Sequence, residues 1–227
     1  MLEVWERGLG RAVPARALAL LAAALPEMDE AALAALPLGA RDGLLLDLRE
    51  MLFGSRLNAI ADCPDCGERL ETEFPVEAIR DRSAPAPPVE IAVVADGVAL
   101  RCRLPATLDL LAIPQGADAA TARGLLLARC VEGSPALTEV AAAQVSSALA
   151  AVDPKATIDL ALKCPACGID FSAAFDIAAW VVAEAHDWAQ RMLGEIATLA
   201  RAFGWGEADV LALGPARRRA YLELALR

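Results

Sequence analysis

Residues 63–80, CPDCGERLETEFPVEAIR, recur in pattern at residues 164–181, CPACGIDFSAAFDIAAWV. Both stretches open with Cys-Pro-x-Cys-Gly, and the second follows the first at an offset of 101 residues. The similarity continues past the cysteines into apolar positions, at residues 70 and 171, 74 and 175, 76 and 177, and 79 and 180. Chance would rarely repeat both a cysteine turn and the packing positions after it. These two stretches therefore decide our interpretation of the fold.

Each Cys-Pro-x-Cys-Gly stretch is typical of a tight turn that points two thiolates at one metal ion. The proline presets φ in the turn, and the glycine allows the positive φ at which the chain folds back. One such turn supplies two ligands, whereas tetrahedral zinc takes four. The sequence therefore predicts one structural zinc site shared by both turns, with the ligands Cys63, Cys66, Cys164 and Cys167.

Other uses of the four cysteines remain open at this point. A redox dithiol is one alternative, but redox CxxC motifs usually open a helix, and the residues after Cys66 and Cys167 look extended. A disulfide framework is disfavoured in a cytoplasmic protein. An iron–sulfur cluster also takes four thiolates. A catalytic zinc is disfavoured because it keeps an open position, and four thiolates close the site.

Composition and charge favour helices and disfavour nucleic-acid binding. Hydrophobic residues make up 57% of the chain, and Ala and Leu, which are good helix formers, supply most of them. The formal net charge is -10, so the surface as a whole repels phosphate backbones. Aromatic residues are only 4% of the chain, which leaves few platforms for base stacking.

The apolar stretch from Ala17 to Leu25 is the one segment that could be mistaken for a targeting or membrane segment. It is too short to span a bilayer, and Glu3 and Glu6 do not fit the positive start of a signal peptide. We therefore predict a helix here, in a soluble cytoplasmic protein without membrane insertion. In that compartment the cysteines are expected to be reduced or bound to metal.

The chain divides into three predicted regions, which we expect to form one integrated domain. Residues 1–55 form an N-terminal helical region, 56–175 hold the two zinc-ribbon-like hairpins with an inserted β-hairpin and helices, and 176–227 form a C-terminal helical region. Residues 83–88, SAPAPP, are the predicted linker. Asp96-Gly97 between two apolar runs predicts the inserted hairpin. The predicted fold class is α+β and predominantly α-helical, with a small β region built on the two CPxCG hairpins and that further hairpin.

No catalytic group is identified in the sequence. His186 is the only histidine, and its position on the long C-terminal helix predicts that it faces solvent or a partner. Cys102 and Cys130 have no cysteine nearby in sequence and are interpreted as small buried hydrophobic residues. We therefore predict a protein that is not an enzyme and takes no small-molecule substrate.

Three consecutive arginines, Arg217–Arg219, stand in the first turn of a helix predicted to begin at Pro215. The helix dipole disfavours positive charge at that end. One interpretation is a solvated run paired with Glu207 or Asp209, and the other is a docking patch for an acidic protein surface.

Several segments together resemble a known family. They are LPLGARDGLLLDLREMLFGSRL at Leu36 to Leu57, the pattern V-x-x-R-x-R-L-P-x-x-x-D-L at Val98 to Leu110, a D-P-x-A stretch at 153–156, the two CPxCG motifs, and the tail from Leu199 to Leu224. In this order they resemble the T-even-type phage baseplate protein family, which is found in contractile phage tails and related contractile injection systems.

The resemblance implies a non-enzymatic structural protein of a baseplate, or a chaperone-like factor for tail assembly. Its expected partners are other baseplate, hub or spike proteins. Its expected location is the cytoplasm of a bacterium or phage-infected cell, or a tail-like particle. A zinc-ribbon module for transcription or nucleic-acid processing is the alternative, which the acidic charge opposes. A thiol oxidoreductase is a further alternative.

Overall fold

A computed structural model describes residues 1–80, 88, 90–133 and 136–226. Over these residues the fold is mostly helical and includes three antiparallel two-stranded hairpins, so the predicted α+β class is confirmed. The helices and strands follow one another as α1 Leu2–Gly8, α2 Val13–Ala24, α3 Glu30–Ala35, α4 Leu38–Phe53, β1 Arg56–Asp62, β2 Arg69–Pro75, β3 Glu90–Ala95, β4 Val98–Arg103, α5 Thr107–Leu111, α6 Ala119–Cys130, α7 Glu139–Val152, β5 Ile158–Lys163, β6 Asp170–Phe175, α8 Ile177–Phe203, α9 Glu207–Leu211 and α10 Pro215–Ala225.

The residues divide into two compact units, Gly10–Val181 and a terminal unit made of Met1–Leu9 with Val182–Arg227. The division of the chain into regions 1–55, 56–175 and 176–227 stays a prediction. The predicted linker, 83–88, lies outside the described residues except for Pro88. Among the described helices, none combines the length and the hydropathy needed to cross a bilayer.

The start of α4 is fixed by contacts with two distant parts of the Gly10–Val181 unit. The Gly39 N–H donates to the buried Asp153 carboxylate at 2.9 Å, and the Leu38 N–H donates to the Pro105 carbonyl at 3.0 Å. A Cβ on Gly39 would lie only 2.0 Å from the Asp153 carboxylate, so this approach requires glycine. Three segments quoted above for the family resemblance therefore meet here.

A second polar contact anchors α5. Asp109 is completely buried, and its carboxylate accepts two hydrogen bonds from Arg103, at 2.6 and 2.7 Å, and one from Arg129 at 2.9 Å. The Ala106 N–H donates to the same carboxylate at 3.0 Å. Burial alone would raise the pKa of Asp109, but these donors hold it below its usual value. The R-x-R-L-P-x-x-x-D pattern thus encodes a paired buried charge.

The β3–β4 hairpin packs on α6 and α7 through buried apolar side chains. Both turn residues, Asp96 and Gly97, have positive φ, at 51° and 75°, as the type I′ hairpin turn requires. Cys102 and Cys130 lie in this cluster, as predicted, each 2% exposed. Burial raises the pKa of the Cys130 thiol to about 11, which keeps it protonated and unreactive at neutral pH.

The terminal unit is built on the apolar face of α8. Met192, Ile196 and Leu199 pack there with Val210 of α9, and partly buried side chains of α1 and α10 cover them. The Trp5 indole N–H of α1 donates to Nδ1 of His186 at 2.9 Å. His186 is half-buried, and it contacts α1, a neighbour that its position on α8 does not reveal. The prediction that it faces solvent or a partner stays a prediction.

The arginine run is only partly as predicted. Helix α10 does begin at Pro215, and Arg217 and Arg219 are exposed. Arg218, however, donates to the Glu195 carboxylate of α8 at 2.7 Å. The predicted pairing with Glu207 or Asp209 is wrong for this arginine, because α10 packs back on α8.

Candidate metal centre

The two cysteine turns have the same backbone hydrogen bonds. In the first, the Cys63 N–H donates to the Glu68 carbonyl at 2.8 Å, and the Gly67 N–H donates to the Cys63 carbonyl at 3.0 Å. In the second, Cys164, Ile169 and Gly168 form the equivalent bonds at 2.9 and 3.0 Å. Gly67 and Gly168 have φ of 73° and 77°, the left-handed conformation for which glycine is favoured. The sequence repeat is therefore a structural repeat.

The turns bring all four predicted ligands together. The Sγ atoms of Cys63, Cys66, Cys164 and Cys167 all lie within 4.8 Å of one another. Two of the pairs join different turns: Cys63 Sγ lies 3.7 Å from Cys167 Sγ, and Cys66 Sγ lies 3.6 Å from Cys164 Sγ. Four sulfurs arranged tetrahedrally at the usual zinc–sulfur distance of about 2.3 Å would stand about 3.8 Å apart. The cluster thus has the size needed to hold one metal ion.

Backbone donors favour the thiolate form at one ligand in particular. The N–H groups of Cys167 and Ala166 donate to the Cys164 sulfur and lower the pKa of this thiol. The pKa values of Cys66 and Cys167 are instead raised: the N–H groups of Glu68 and Ile169 lower them, but desolvation and hydrogen bonds with the other thiols outweigh this effect. A metal takes cysteine as thiolate, so a lowered pKa reduces the cost of losing the proton. The donor set is all sulfur, which suits zinc, copper(I) or an iron–sulfur cluster better than magnesium or calcium.

Apolar residues at equivalent repeat positions pack against the buried cysteines of the two turns. Cys63 and Cys164 are buried, at 3% and 1% exposure, while Cys66 and Cys167 are exposed. Leu70 packs with the two buried cysteines, and Phe171 covers the same cluster. The repeat positions 70 and 171 are thus packing positions, which explains why the repeat extends past the cysteines.

The far ends of the hairpins are joined by aromatic contacts. Phe74 of β2 meets Phe175 of β6 edge to face, with ring centroids 5.9 Å apart, and Phe175 also contacts Trp180 at 5.7 Å. The Trp180 indole N–H donates to the Asn58 carbonyl at 3.0 Å, and the Arg49 guanidinium lies 4.9 Å from the centre of its ring. Trp180 is therefore a packing residue, which holds the start of α8 against β1.

Sequence reasoning missed the residues that support the site from other elements. Arg49 and Asn58 take part only because α8 returns to β1, and neither lies in a motif. Asp176 offered a usable signal, since an aspartate just before an apolar helical repeat is a typical N-cap. Its carboxylate accepts from the Ala179 N–H at 2.9 Å.

Comparison with known proteins agrees with the segments quoted from the sequence. The family model described as T4 bacteriophage base plate protein matches residues 18–133, slightly more than half of the 227 residues. The chain belongs to this baseplate protein family. The suspected family is thus confirmed, and the match includes the start of α4, the first cysteine turn and the Asp109 contact. The second cysteine turn and the tail of this baseplate-family protein lie beyond the matched residues.

The other two comparisons add no relatives. No curated protein and no solved structure matches the chain.

Proposed function

We propose that this baseplate-family protein is a non-enzymatic structural or assembly (chaperone-like) component of a contractile phage-tail-like baseplate, stabilised by a four-cysteine zinc site. One observation carries the zinc part of the proposal. Four cysteine sulfurs converge at distances that suit a tetrahedral ion, although 97 residues stand between Cys66 of the first turn and Cys164 of the second. The family match supports the baseplate part.

Zinc is the metal we propose because the site is closed and made of thiolates. Structural zinc is held by four protein ligands, whereas catalytic zinc keeps one position for water or substrate. With Cys63, Cys66, Cys164 and Cys167 as ligands, all four positions are taken. The chemistry of such a site is cross-linking, so its contribution is to stability.

The cross-link would close an unusually long loop. A bridge that closes a loop of about 100 residues removes chain entropy worth about 4–5 kcal/mol in the simplest model, as for a disulfide. The ion would also fix the β1–β2 hairpin against the β5–β6 hairpin, and so fix the base of α8. A rigid surface of this kind suits binding to other baseplate, hub or spike proteins.

Metal content of the purified protein tests the zinc proposal. We expect about one zinc per chain by elemental analysis, and loss of that zinc in Cys63→Ser and in Cys164→Ser alike. Cys102→Ser is the matched control, since it removes a buried thiol in the β3–β4 cluster and should leave the zinc content unchanged. Iron with visible absorption, or no metal in the unsubstituted protein, would overturn the assignment.

Co-expression with the products of adjacent genes tests the baseplate proposal. We expect a complex with a hub, spike or other baseplate protein that survives size-exclusion chromatography. A chain that elutes alone beside all such neighbours would contradict it. Nucleic-acid binding that weakens steeply with salt would favour the zinc-ribbon alternative, and dithiol reductase activity would favour an oxidoreductase.

A further inference from the structure

The two edges of the β3–β4 hairpin differ in what lies beside them. The edge along β4 is partly covered, because the Glu132 N–H donates to the Arg101 carbonyl at 2.9 Å. Along β3, Glu90–Ala95, the only strand that pairs with it among the described residues is β4. The outer edge of β3 is therefore free to accept another strand.

The geometry of the turn decides which backbone groups point along that outer edge. In a type I′ hairpin the two residues that flank the turn, here Ala95 and Val98, exchange hydrogen bonds, and every second pair after them does the same. The residues in between, Glu90, Ala92 and Val94, therefore direct their N–H and C=O groups away from β4. No hydrogen bond joins these groups to another segment of the described chain.

The same three residues are accessible and carry no protection against pairing. Val94 is 72% exposed, and Glu90 and Ala92 are also exposed. Soluble proteins usually protect such an edge with lysine, proline or a bulge. The β3 sequence, EIAVVA, contains neither lysine nor proline, and its register with β4 has no bulge. Its one charge is at the first residue, so the strand has the features of one that is paired.

A second copy of the same strand matches this edge in one antiparallel register. With the two-fold axis at Ala92, Ala92 faces its counterpart, and Glu90 faces Val94 of the second copy. All three outward residues of each copy then gain a partner, whereas any register shifted by two residues leaves some unpaired. The two Glu90 carboxylates stand at opposite ends of the pair, so like charges do not meet.

We propose that two copies of this chain associate through β3, paired antiparallel about Ala92, to form a four-stranded sheet with the order β4–β3–β3–β4. The contact is isologous, so it closes at two copies. It rests on one short strand, and we therefore expect a weak, reversible dimer. Neither zinc nor a baseplate partner is needed for it.

Sedimentation of the full chain over a concentration series tests the association. We expect a reversible equilibrium between monomer and dimer, with no larger species. A chain that stays monomeric up to about 1 mM, the weak end of specific affinities, would overturn the proposal. Assembly that continues past the dimer would overturn it as well, because the proposed contact closes.

Two substitutions at Val94 test the register. Both remove the same exposed side chain, so neither should disturb the monomer. In the proposed pair the new side chain faces Glu90 of the other copy, and this happens twice in each dimer. Opposite charges attract across strands and like charges repel, so we expect Val94→Lys to dimerise about tenfold more tightly than Val94→Glu at low salt. Equal affinities would overturn the proposed pairing.

Ala99 provides the matched control for net charge. It is exposed and lies opposite Val94 on β4, one strand farther from the second copy. Ala99→Lys and Ala99→Glu make the same changes in net charge, and we expect their dimer affinities to differ much less. A difference as large as that at Val94 would show that net charge alone decides the association and would overturn the proposal.

A proline on the axis removes the pairing without touching the hairpin. The Ala92 N–H points away from β4, and proline is tolerated on an edge strand at such a position. We expect Ala92→Pro to keep the fold and lose the dimer. A folded Ala92→Pro that dimerises normally would overturn the proposal.

Hydrogen exchange identifies the occupant of the edge. We expect protection of the Val94 N–H to rise with the concentration of the chain alone. Protection that appears only when a different protein is added would assign the edge to that protein and overturn pairing between copies. Zinc content and co-purification report on the proposed function separately, so each idea can fail alone.

Discussion

The two cysteine hairpins share one turn but lead to different structures. At equivalent repeat positions, the first hairpin ends at Pro75 and the second continues to Asp176. After Pro75 the chain makes only a short 3-10 turn, Val76–Ala78, whereas after Asp176 it forms the 27-residue helix α8. Asp176 accepts a backbone hydrogen bond from the first turn of α8, which a proline side chain cannot do. The metal turn and the element that follows it are thus encoded separately.

The hairpins also differ in how deeply their matching aromatic residues are buried. Phe175 is buried and contacts both Phe74 and Trp180, while Phe74 is half-buried. The second hairpin therefore holds the larger share of the apolar contact between the pair.

The largest expected loss of stability comes from removing one cysteine of the metal site that the two hairpins are proposed to share. Cys63→Ser and Cys164→Ser should each destabilise the fold by several kcal/mol, because either change leaves the ion short of one ligand. The two losses should be similar in urea unfolding with zinc present. Small effects from both, with zinc content unchanged, would contradict a shared site.

The next largest effect tests the difference in burial between Phe175 and Phe74. Phe175→Ala should cost about 3–5 kcal/mol, as large core truncations do. Phe74→Ala should cost about half as much, because its ring is partly exposed. The measurement is the urea midpoint of each variant at constant slope. Equal losses would show that the two hairpins contribute equally to the apolar contact.

A pH dependence tests the coupling of the second hairpin to α4. Burial raises the pKa of Asp42 from 3.8 to about 6, Arg41 opposes the rise, and the charges of Asp176 and Asp153 add to it. The native state therefore binds this proton more tightly than the unfolded state between about pH 4 and pH 6. Ionising Asp42 costs stability as pH rises through that window, and the full cost is present above pH 6.

That cost is at most about 3 kcal/mol for a shift of this size. We expect the stability of the unsubstituted protein, relative to Asp42→Asn, to fall by up to this amount from pH 4 to pH 7. Chemical unfolding of both proteins across the range measures it. Asp176→Asn should reduce the fall, since it removes one of the repelling charges. If the free energy of unfolding depends on pH in the same way for the unsubstituted protein and for Asp42→Asn, the raised pKa of Asp42 is contradicted.

The smallest expected effect on stability comes from the N-cap of α8 at Asp176. Asp176→Ala should cost about 1 kcal/mol, whereas Asp176→Asn should cost much less, because asparagine caps as well as aspartate. Pro75→Ala at the equivalent position should change stability little. Thermal unfolding at pH 7 compares the three variants. A loss at Pro75 as large as that at Asp176 would remove the distinction between the hairpins.

Much of the fold could be predicted from local signals. Two CPxCG turns, the Asp96-Gly97 turn and the proline that starts α10 each act over a few residues, so the sequence is enough to place them. The four cysteines could be grouped from the sequence because zinc needs four ligands and each turn supplies two.

The parts that could not be predicted depend on contacts between distant segments. The hydrogen bond from Trp5 to His186 and the ion pair of Arg218 with Glu195 follow from packing on α8. From the sequence alone, Gly39 is only a poor helix former within α4, and the need for glycine there becomes clear once Asp153 is placed against it. No local pattern carries that information, since each case needs the position of a partner far along the chain.

The distance between the two cysteine turns also sets an order of events during synthesis. Ribosomes add about 5–20 residues per second, so Cys63 and Cys66 leave the ribosome about 5–20 seconds before the second pair. During that interval the first turn is a two-thiol half-site, open to oxidants and to other metals. The terminal unit closes later still, because Met1–Leu9 packs with Val182–Arg227, which follow the second cysteine turn in the chain. Met1–Leu9 therefore leave the ribosome before either cysteine turn but reach their packed positions after both.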